Sequence, residues 1–353
     1  MSVQQIAAQV TASAAPLVSV EDLRIHFATR DRQTVKAVDG VSFAILPGET
    51  FGIIGESGSG KTTLGRALVG LVPPTAGRIR YGGEDLRSLP RRRLRQLRRD
   101  YQIIFQDPHA ALNPRMTILQ SVQEPLEIMR EGTPASRRRA ALEALERAGL
   151  GPQLAERYPH QLSGGQKQRV NIARVLTLRP KFIVCDEVVA ALDVSIRGAI
   201  LNLFAELQQE FGITYAFITH DISVVSHISD RVAVMYLGQL MELGPTAAVT
   251  SRPLHPYTAA LLSAEPQPLP SDMRTEKRRI QLAGEIPSPL APPSGCRFRT
   301  RCPAARPQCA EQAPAWRELT PGHWVACHFA TPAGAVLETD HAMTTTANAE
   351  ERT

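Results

Sequence analysis

Gly55, Glu56, Ser57, Gly58, Ser59, Gly60, Lys61 and Thr62 follow a short apolar run and fit GxxxxGK[ST], a spacing suited to capturing a chain of phosphates. Glycines let the backbone approach phosphate oxygens without a side-chain clash, and backbone N–H groups at the start of a helix point at the anion. Lys61 can neutralise the β- and γ-phosphates, and the Thr62 hydroxyl can ligate Mg²⁺. Thr63 continues the same turn. A glycine-rich turn without a ligand is the plain alternative; the full eight-residue match after a strand speaks against it. Further along, Phe182, Ile183, Val184 and Cys185 lead into Asp186 and Glu187. Asp186 is placed to hold Mg²⁺ through water, and Glu187, one residue on, to orient or deprotonate an attacking water. Paired acids alone after a strand more often cap a helix. Behind a phosphate loop they point to hydrolysis of ATP or GTP.

Leu162, Ser163, Gly164, Gly165 and Gln166 put a serine and two glycines at the start of a further helix, a second anion site in the same chain. That site has no evident way to serve the first nucleotide, so it asks for a partner chain. A simple capped helix would also fit the string in isolation.

Such residues need strands and helices to hold them. Leu23, Ile25 and Phe27 alternate with other residues, as do Val41, Phe43 and Ile45, which predicts two half-buried strands and an antiparallel sheet at the front. The apolar runs at 51–54, 182–185 and 215–219 each end at a polar cluster and read as buried parallel strands. Between them Ile172, Val175 and Leu176 fall at helical spacing, and residues 135–148 are rich in good helix formers. The class is therefore α/β. Prolines 266, 268 and 270 open a linker, followed by a loop-rich module, and the end of the chain from about Thr331 has little to bury and is expected to be disordered.

The pentapeptide at 162–166 resembles the signature of ABC ATPases, in which two such domains pack head to tail so that each signature meets the nucleotide on the other's P-loop. The same resemblance makes Gln106 the Q-loop glutamine and a Mg²⁺ contact, Asp193 the D-loop aspartate, His220 the switch histidine, and Phe27 a candidate to stack on adenine, although a strand phenylalanine is as readily core. It implies a flexible lead over residues 1–17, an ATPase domain over 18–265 with a helical subdomain at about 107–178, a Pro/Cys-rich extension over 266–330, and a tail over 331–353. The family usually has proline and serine where this chain has Val188 and Ala190.

Phe105, Gln106, Asp107 and Pro108, then Leu112, Asn113, Pro114 and Arg115, then His255, Pro256, Tyr257 and Thr258 are similar to strings in the ATPases of peptide and nickel importers. That branch implies two permease subunits, a second similar ATPase forming a heterodimer, an extracytoplasmic solute-binding protein, no nucleic acid, and a place on the cytoplasmic face of the membrane. Four of the five cysteines, Cys296, Cys302, Cys309 and Cys327, lie in the extension. Thiolates in a small-cored module point to an iron–sulfur cluster or zinc, with His323 and His328 keeping zinc open, and free or variably paired thiols are the third reading. The branch resemblance favours [4Fe–4S]. Cys185 reads as a small core residue.

Bulk properties set the frame. At 353 residues, 43% hydrophobic and 21% charged, the chain falls in the ordinary globular class, and no run approaches the roughly 18 apolar residues of a membrane span. Residues 1–16 lack a basic start followed by an apolar block, so no secretory signal is expected. The net charge of +6 gathers at 87–99, where seven arginines surround Leu94 and Leu97 at helical spacing; a solvated basic helix face is the plainer reading than nucleic-acid or lipid contact. That segment mildly favours the alternative function, a soluble ABC ATPase acting on nucleic acid or ribosomes. One P-loop and no sustained heptads weigh against it.

Overall fold

The alternation at the front produces β1 (Val18–Ala28) and β2 (Thr34–Ile45), antiparallel, with Leu23 opposite Val41 and Ile25 opposite Val38. The chain then enters β3 (Thr50–Ile54), returns to the front sheet in β4 (Ala76–Tyr81) and β5 (Glu84–Asp85), and that sheet runs β2-β1-β4-β5. A computed structural model gives this architecture for residues 15–190, 192–264 and 280–337. Most of the lead, prolines 266, 268 and 270, and the tail beyond residue 337 lie outside the described residues.

The apolar runs become the central sheet. β6 (Tyr101–Ile104), β7 (Phe182–Asp186), β8 (Thr214–Thr219) and β9 (Arg231–Tyr236) lie parallel with β3 in the order β9-β3-β8-β7-β6. These strands read as unbroken apolar runs because both faces are covered. On one face Ile183, Cys185 and Phe217 meet Leu119, Val122, Leu145 and Val170 of the helices Ile118–Met129, Pro134–Arg147 and Gly164–Leu176. On the other, Val184 and Ile218 meet Val20, Ile25, Phe43 and Leu64. Each such side chain contributes about 1.5–3 kcal/mol by leaving water. The helices start where the sequence supplies caps. Thr117 and Gln120 exchange side-chain and backbone hydrogen bonds in a capping box, and Thr133 does the same with Ser136 ahead of Pro134. The arginine-rich helix Arg91–Asp100 buries Leu97 and pairs Arg93 with Glu84 and Arg99 with Glu131, leaving a solvated basic face as read.

The Pro/Cys-rich region joins the central sheet. After β10 (Gln239–Pro245), which pairs antiparallel with β9, come β11 (Arg317–Thr320) and β12 (His323–Val325), and β12 pairs with β10, Leu243 opposite Trp324. Trp324 is buried in the core beneath the front sheet. A tether reinforces the junction: the fully buried Glu242 carboxylate accepts the N–H groups of Leu254 and His255, both at 2.8 Å, and meets His323 Nε2 at 2.7 Å. The start of the tail also departs from expectation. Thr331 bridges Gly334, and the Ala335 N–H donates to Pro253 O at 2.8 Å, so Thr331, Gly334 and Ala335 have defined backbone partners.

His255 caps the helix Pro256–Ser263, its Nδ1 accepting the Tyr257 N–H at 3.0 Å. That bond requires a neutral ring, and complete burial lowers its pKa from 6.5 to about 3. The unfolded chain therefore takes up a proton below pH 6.5 that the folded chain refuses until about pH 3, and stability present above pH 6.5 is lost as pH falls. Between pH 7 and pH 5 the expected loss from this group is about 2 kcal/mol. Urea unfolding of His255→Asn, which keeps a capping acceptor without the titration, should show a correspondingly smaller loss over that interval. An equal loss would rule out His255 as the source.

Candidate nucleotide site

Because β3, β6, β7 and β8 run parallel, their carboxyl ends open on one edge of the sheet, the place where such folds bind ligands. The register sets Ile54 beside Thr219, Ile218 beside Asp186, and Ile104 beside Cys185. The phosphate loop leaves β3, Gln106 follows β6, Asp186 closes β7 with Glu187 next, and His220 follows β8.

The loop turns on left-handed glycines. Gly55 has φ 154°, Gly58 78° and Gly60 102°; a Cβ on Gly55 would sit 2.1 Å from Met235 O, and one on Gly60 2.0 Å from Ala37 O. Only glycine fits. Lys61 opens the helix Lys61–Leu68 with its ammonium buried inside the loop, donating to Gly55 O at 2.7 Å and Glu56 O at 2.9 Å. Burial lowers its pKa, opposed by the carboxylates of Glu187, Asp186 and Glu56. The Thr62 hydroxyl donates to Asp186 Oδ1 at 3.1 Å, which brings two hard oxygens together in a place that fits Mg²⁺. Burial raises the Asp186 pKa, and the Thr62 bond works against that rise.

Glu187 carries the unusual backbone of the site. Its φ is 50°, a left-handed value for a non-glycine residue, with its N–H held by Ile218 O at 2.9 Å. Gln106 Nε2 donates to its Oε2 at 2.7 Å, and His220 Nδ1 lies 3.4 Å from Oε1. Three residues drawn from separate parts of the sequence thus meet at one carboxylate. Val188, one of the departures, is buried in the helical core, and the Ala190 N–H closes a turn on Glu187 O at 3.1 Å.

The 162–166 segment stands apart. Ser163 and Gln166 form a capping box at the start of Gly164–Leu176, and Gly165 is required because a Cβ there would lie 2.8 Å from Ile196 Cγ2. Gly164 has open space around it. Among the described residues the hydrogen bonds of Ser163 and Gln166 are local and none reaches residues 55–63. Asp193 starts the helix Val194–Phe211, exposed and with no side-chain cap bond. Phe27 is 44% exposed on β1, so it is not a core residue.

Cys296, Cys302, Cys309 and Cys327 open onto one small cavity beside Phe298. Burial pushes the thiol of Cys296 up to about 11 and that of Cys302 up to about 12, and raises Cys327 as well. The expected metal set is not realised: among the described residues no three or more His, Cys, Asp or Glu side chains are arranged to hold a metal ion. Cys185 is a fully buried core residue.

Sequence reasoning missed two side chains that reach the phosphate loop from far along the chain. Tyr257 Oη accepts the Glu56 N–H at 2.9 Å, and Arg301 grips the Glu56 carboxylate. Tyr257 stands in a noted string but carries no local mark of such a role, and Arg301 is 245 positions from its partner.

Comparison with known proteins agrees with this geometry. Residues 38–190 match the family described as ABC transporter, and residues 241–309 match the C-terminal region of oligopeptide/dipeptide transporters. The chain is 51% identical over 315 residues to a putative oligopeptide transport ATP-binding protein of Bacillus subtilis, spanning 89% of this chain and 95% of that one. It is 53% identical over 312 residues to a putative peptide import ATP-binding protein of Brucella ovis, spanning 88% and 97%. Among solved structures, CbiO1 of Clostridium perfringens, part of a CbiONQ transporter complex, aligns with TM-score 0.60 and 33% identity over 67% of this chain and 91% of that chain. The dimeric cassette MJ0796 with ADP and Pi aligns at 0.59 and 32% identity, over 65% and 98%.

Proposed function

We propose, from the premise that the chain belongs to the ABC transporter family of oligopeptide and peptide transport ATP-binding proteins, that it hydrolyses ATP to power uptake of peptides or similar small solutes through partner permeases. One observation carries the reading: at a single sheet edge, Lys61 lies inside a glycine loop, Thr62 faces Asp186, and Gln106 and His220 converge on Glu187.

The roles follow from that placement. The loop backbone and Lys61 bind the triphosphate, Thr62 and Asp186, with Gln106 nearby, hold Mg²⁺, and Phe27 offers its exposed ring to the base. Mg²⁺ held by Thr62 and Asp186 would supply positive charge to offset that of the phosphates. Glu187 orients the attacking water and takes up its proton, while Gln106 and His220 fix the direction of the carboxylate. Ser163, Gly164, Gly165 and Gln166, remote from their own loop's hydrogen bonds, close the nucleotide of a second ATPase subunit, with Asp193 at the same junction. A similar but distinct subunit makes this a heterodimer. Leu71, Phe105 and Ile128 are exposed around a groove beside the segment that follows Gln106, a surface suited to a permease. No described helix is long and apolar enough to cross a membrane. On the strength of its likeness to peptide import ATP-binding proteins, the subunit sits on the cytoplasmic face through its permeases, which receive solute from an extracytoplasmic binding protein.

The four cysteines, which all open onto one cavity, would hold a [4Fe–4S] cluster or zinc only by drawing together from the positions they occupy here. No step of hydrolysis runs through them. Tagged protein purified anaerobically from its native cells in mild detergent tests both points. Permeases and a similar ATPase should co-purify with Mg²⁺-dependent ATPase activity, and about four iron per chain should accompany them. Ribosomal or DNA-repair partners without permeases would favour the soluble alternative, and a sample free of iron and zinc would leave the cysteines as thiols.

A further inference from the structure

Glu56 is the first residue after Gly55 in the phosphate loop, and its carboxylate is near enough to Lys61 to act on the charge of that ammonium. An unpaired carboxylate there would repel the substrate and leave the loop without an anchor. The structure provides the anchor from outside residues 38–190. Arg301 Nη1 donates to Glu56 Oε2 at 2.6 Å and Nη2 to Oε1 at 3.1 Å, the two-pronged geometry in which arginine binds carboxylates best. The Arg301 side chain is only 9% exposed and that of Glu56 23%, so solvent screens the pair weakly. Tyr257 Oη takes the Glu56 N–H at 2.9 Å and Lys61 Nζ reaches the Glu56 carbonyl at 2.9 Å, so the residue is held at its amide, its carbonyl and its side chain.

The anchors are themselves rigid. Arg301 lies over the Tyr236 ring at 5.9 Å, with Nη1 3.4 Å from Tyr236 Oη. Tyr236 closes β9, the neighbour of β3, and packs on Tyr257 at 4.8 Å. Phe298 meets Tyr236 edge-on at 5.4 Å and Tyr257 at 5.2 Å, and the Arg301 N–H closes a turn on Phe298 O at 3.0 Å. Resting on the reading of residues 55–62 as an ATP site, we propose that Arg301 is a positioning residue of that site: it neutralises Glu56 and, with Tyr257, fixes the loop to accept a nucleoside triphosphate. The C-terminal region is thereby part of the nucleotide-binding machinery.

The test is ATP affinity and steady-state hydrolysis of the full chain and its variants. Arg301→Gln should raise the KM for ATP and the Kd of a fluorescent ATP analogue about tenfold, the scale of one lost charge-assisted bond, with kcat within about twofold. The defect should shrink at high salt. Arg301→Lys, which keeps the charge, should stay within about threefold of the parent. Arg301→Gln combined with Glu56→Gln should recover most of the affinity, because the exposed carboxylate is gone, whereas a purely structural role gives no such recovery. Parent-like affinity in Arg301→Gln, or a double variant as weak as that single one, would overturn the inference. A parent protein that binds no nucleotide would overturn the ATP-site reading itself, and this inference with it.

Discussion

Replacing Glu187 with glutamine will lower ATP turnover by at least about a hundredfold, the lower bound for losing a general base, while ATP binding stays within a few-fold of the parent. Glutamine matches the glutamate in size and can still meet Gln106 and His220, which stand 2.7 and 3.4 Å from the carboxylate oxygens, so the loop at β7 should keep its shape. The variant lacks only the negative charge and the capacity to take a proton. The left-handed φ of 50° sharpens the expectation, since a non-glycine residue held there is held by its surroundings and not by its own preference. Phosphate release under steady state, alongside binding of a fluorescent ATP analogue, separates the two effects. Undiminished hydrolysis would remove Glu187 from the chemistry.

Replacing Lys61 with methionine acts at the other end of the same reaction and should weaken ATP binding by about a hundredfold or more, through loss of a buried ammonium aimed at the phosphates. Folding should move the other way. Burial already lowers the Lys61 pKa, which means the charged form is costly in the ligand-free chain, and a methionine of similar length removes that cost. A thermal midpoint equal to or above that of the parent, together with lost nucleotide binding, is the expected pair of results. Retained affinity would show that the loop backbone alone binds the triphosphate.

Much of this site was legible because its parts are local. A glycine at each left-handed position of the loop, two acids at the end of an apolar run, and a serine three residues before a glutamine all declare themselves within a few positions. The central strands and the capped helices were readable for the same reason. The C-terminal region was not. β12 is three residues long, too short for alternation to register, and it is placed by pairing with β10 about eighty positions earlier. Trp324 stands between His323 and Val325 with no alternating pattern around it, yet it enters the core. Arg301 stands among other arginines and gains its meaning only when the fold brings it to Glu56. The cysteine spacing, conversely, announced a metal set that the placed side chains do not form.

The pairing of β12 with β10 also decides how this chain tolerates shortening. A protein cut at residue 309, where the matched C-terminal region ends, would leave β10 with a bare row of backbone donors and acceptors. It would also take His323 from Glu242 and leave that carboxylate with only the N–H groups of Leu254 and His255. Such a remnant would recruit any passing strand to cover its raw margin. What resembles a dispensable appendix in the sequence is the hem that keeps the sheet from unravelling into its neighbours.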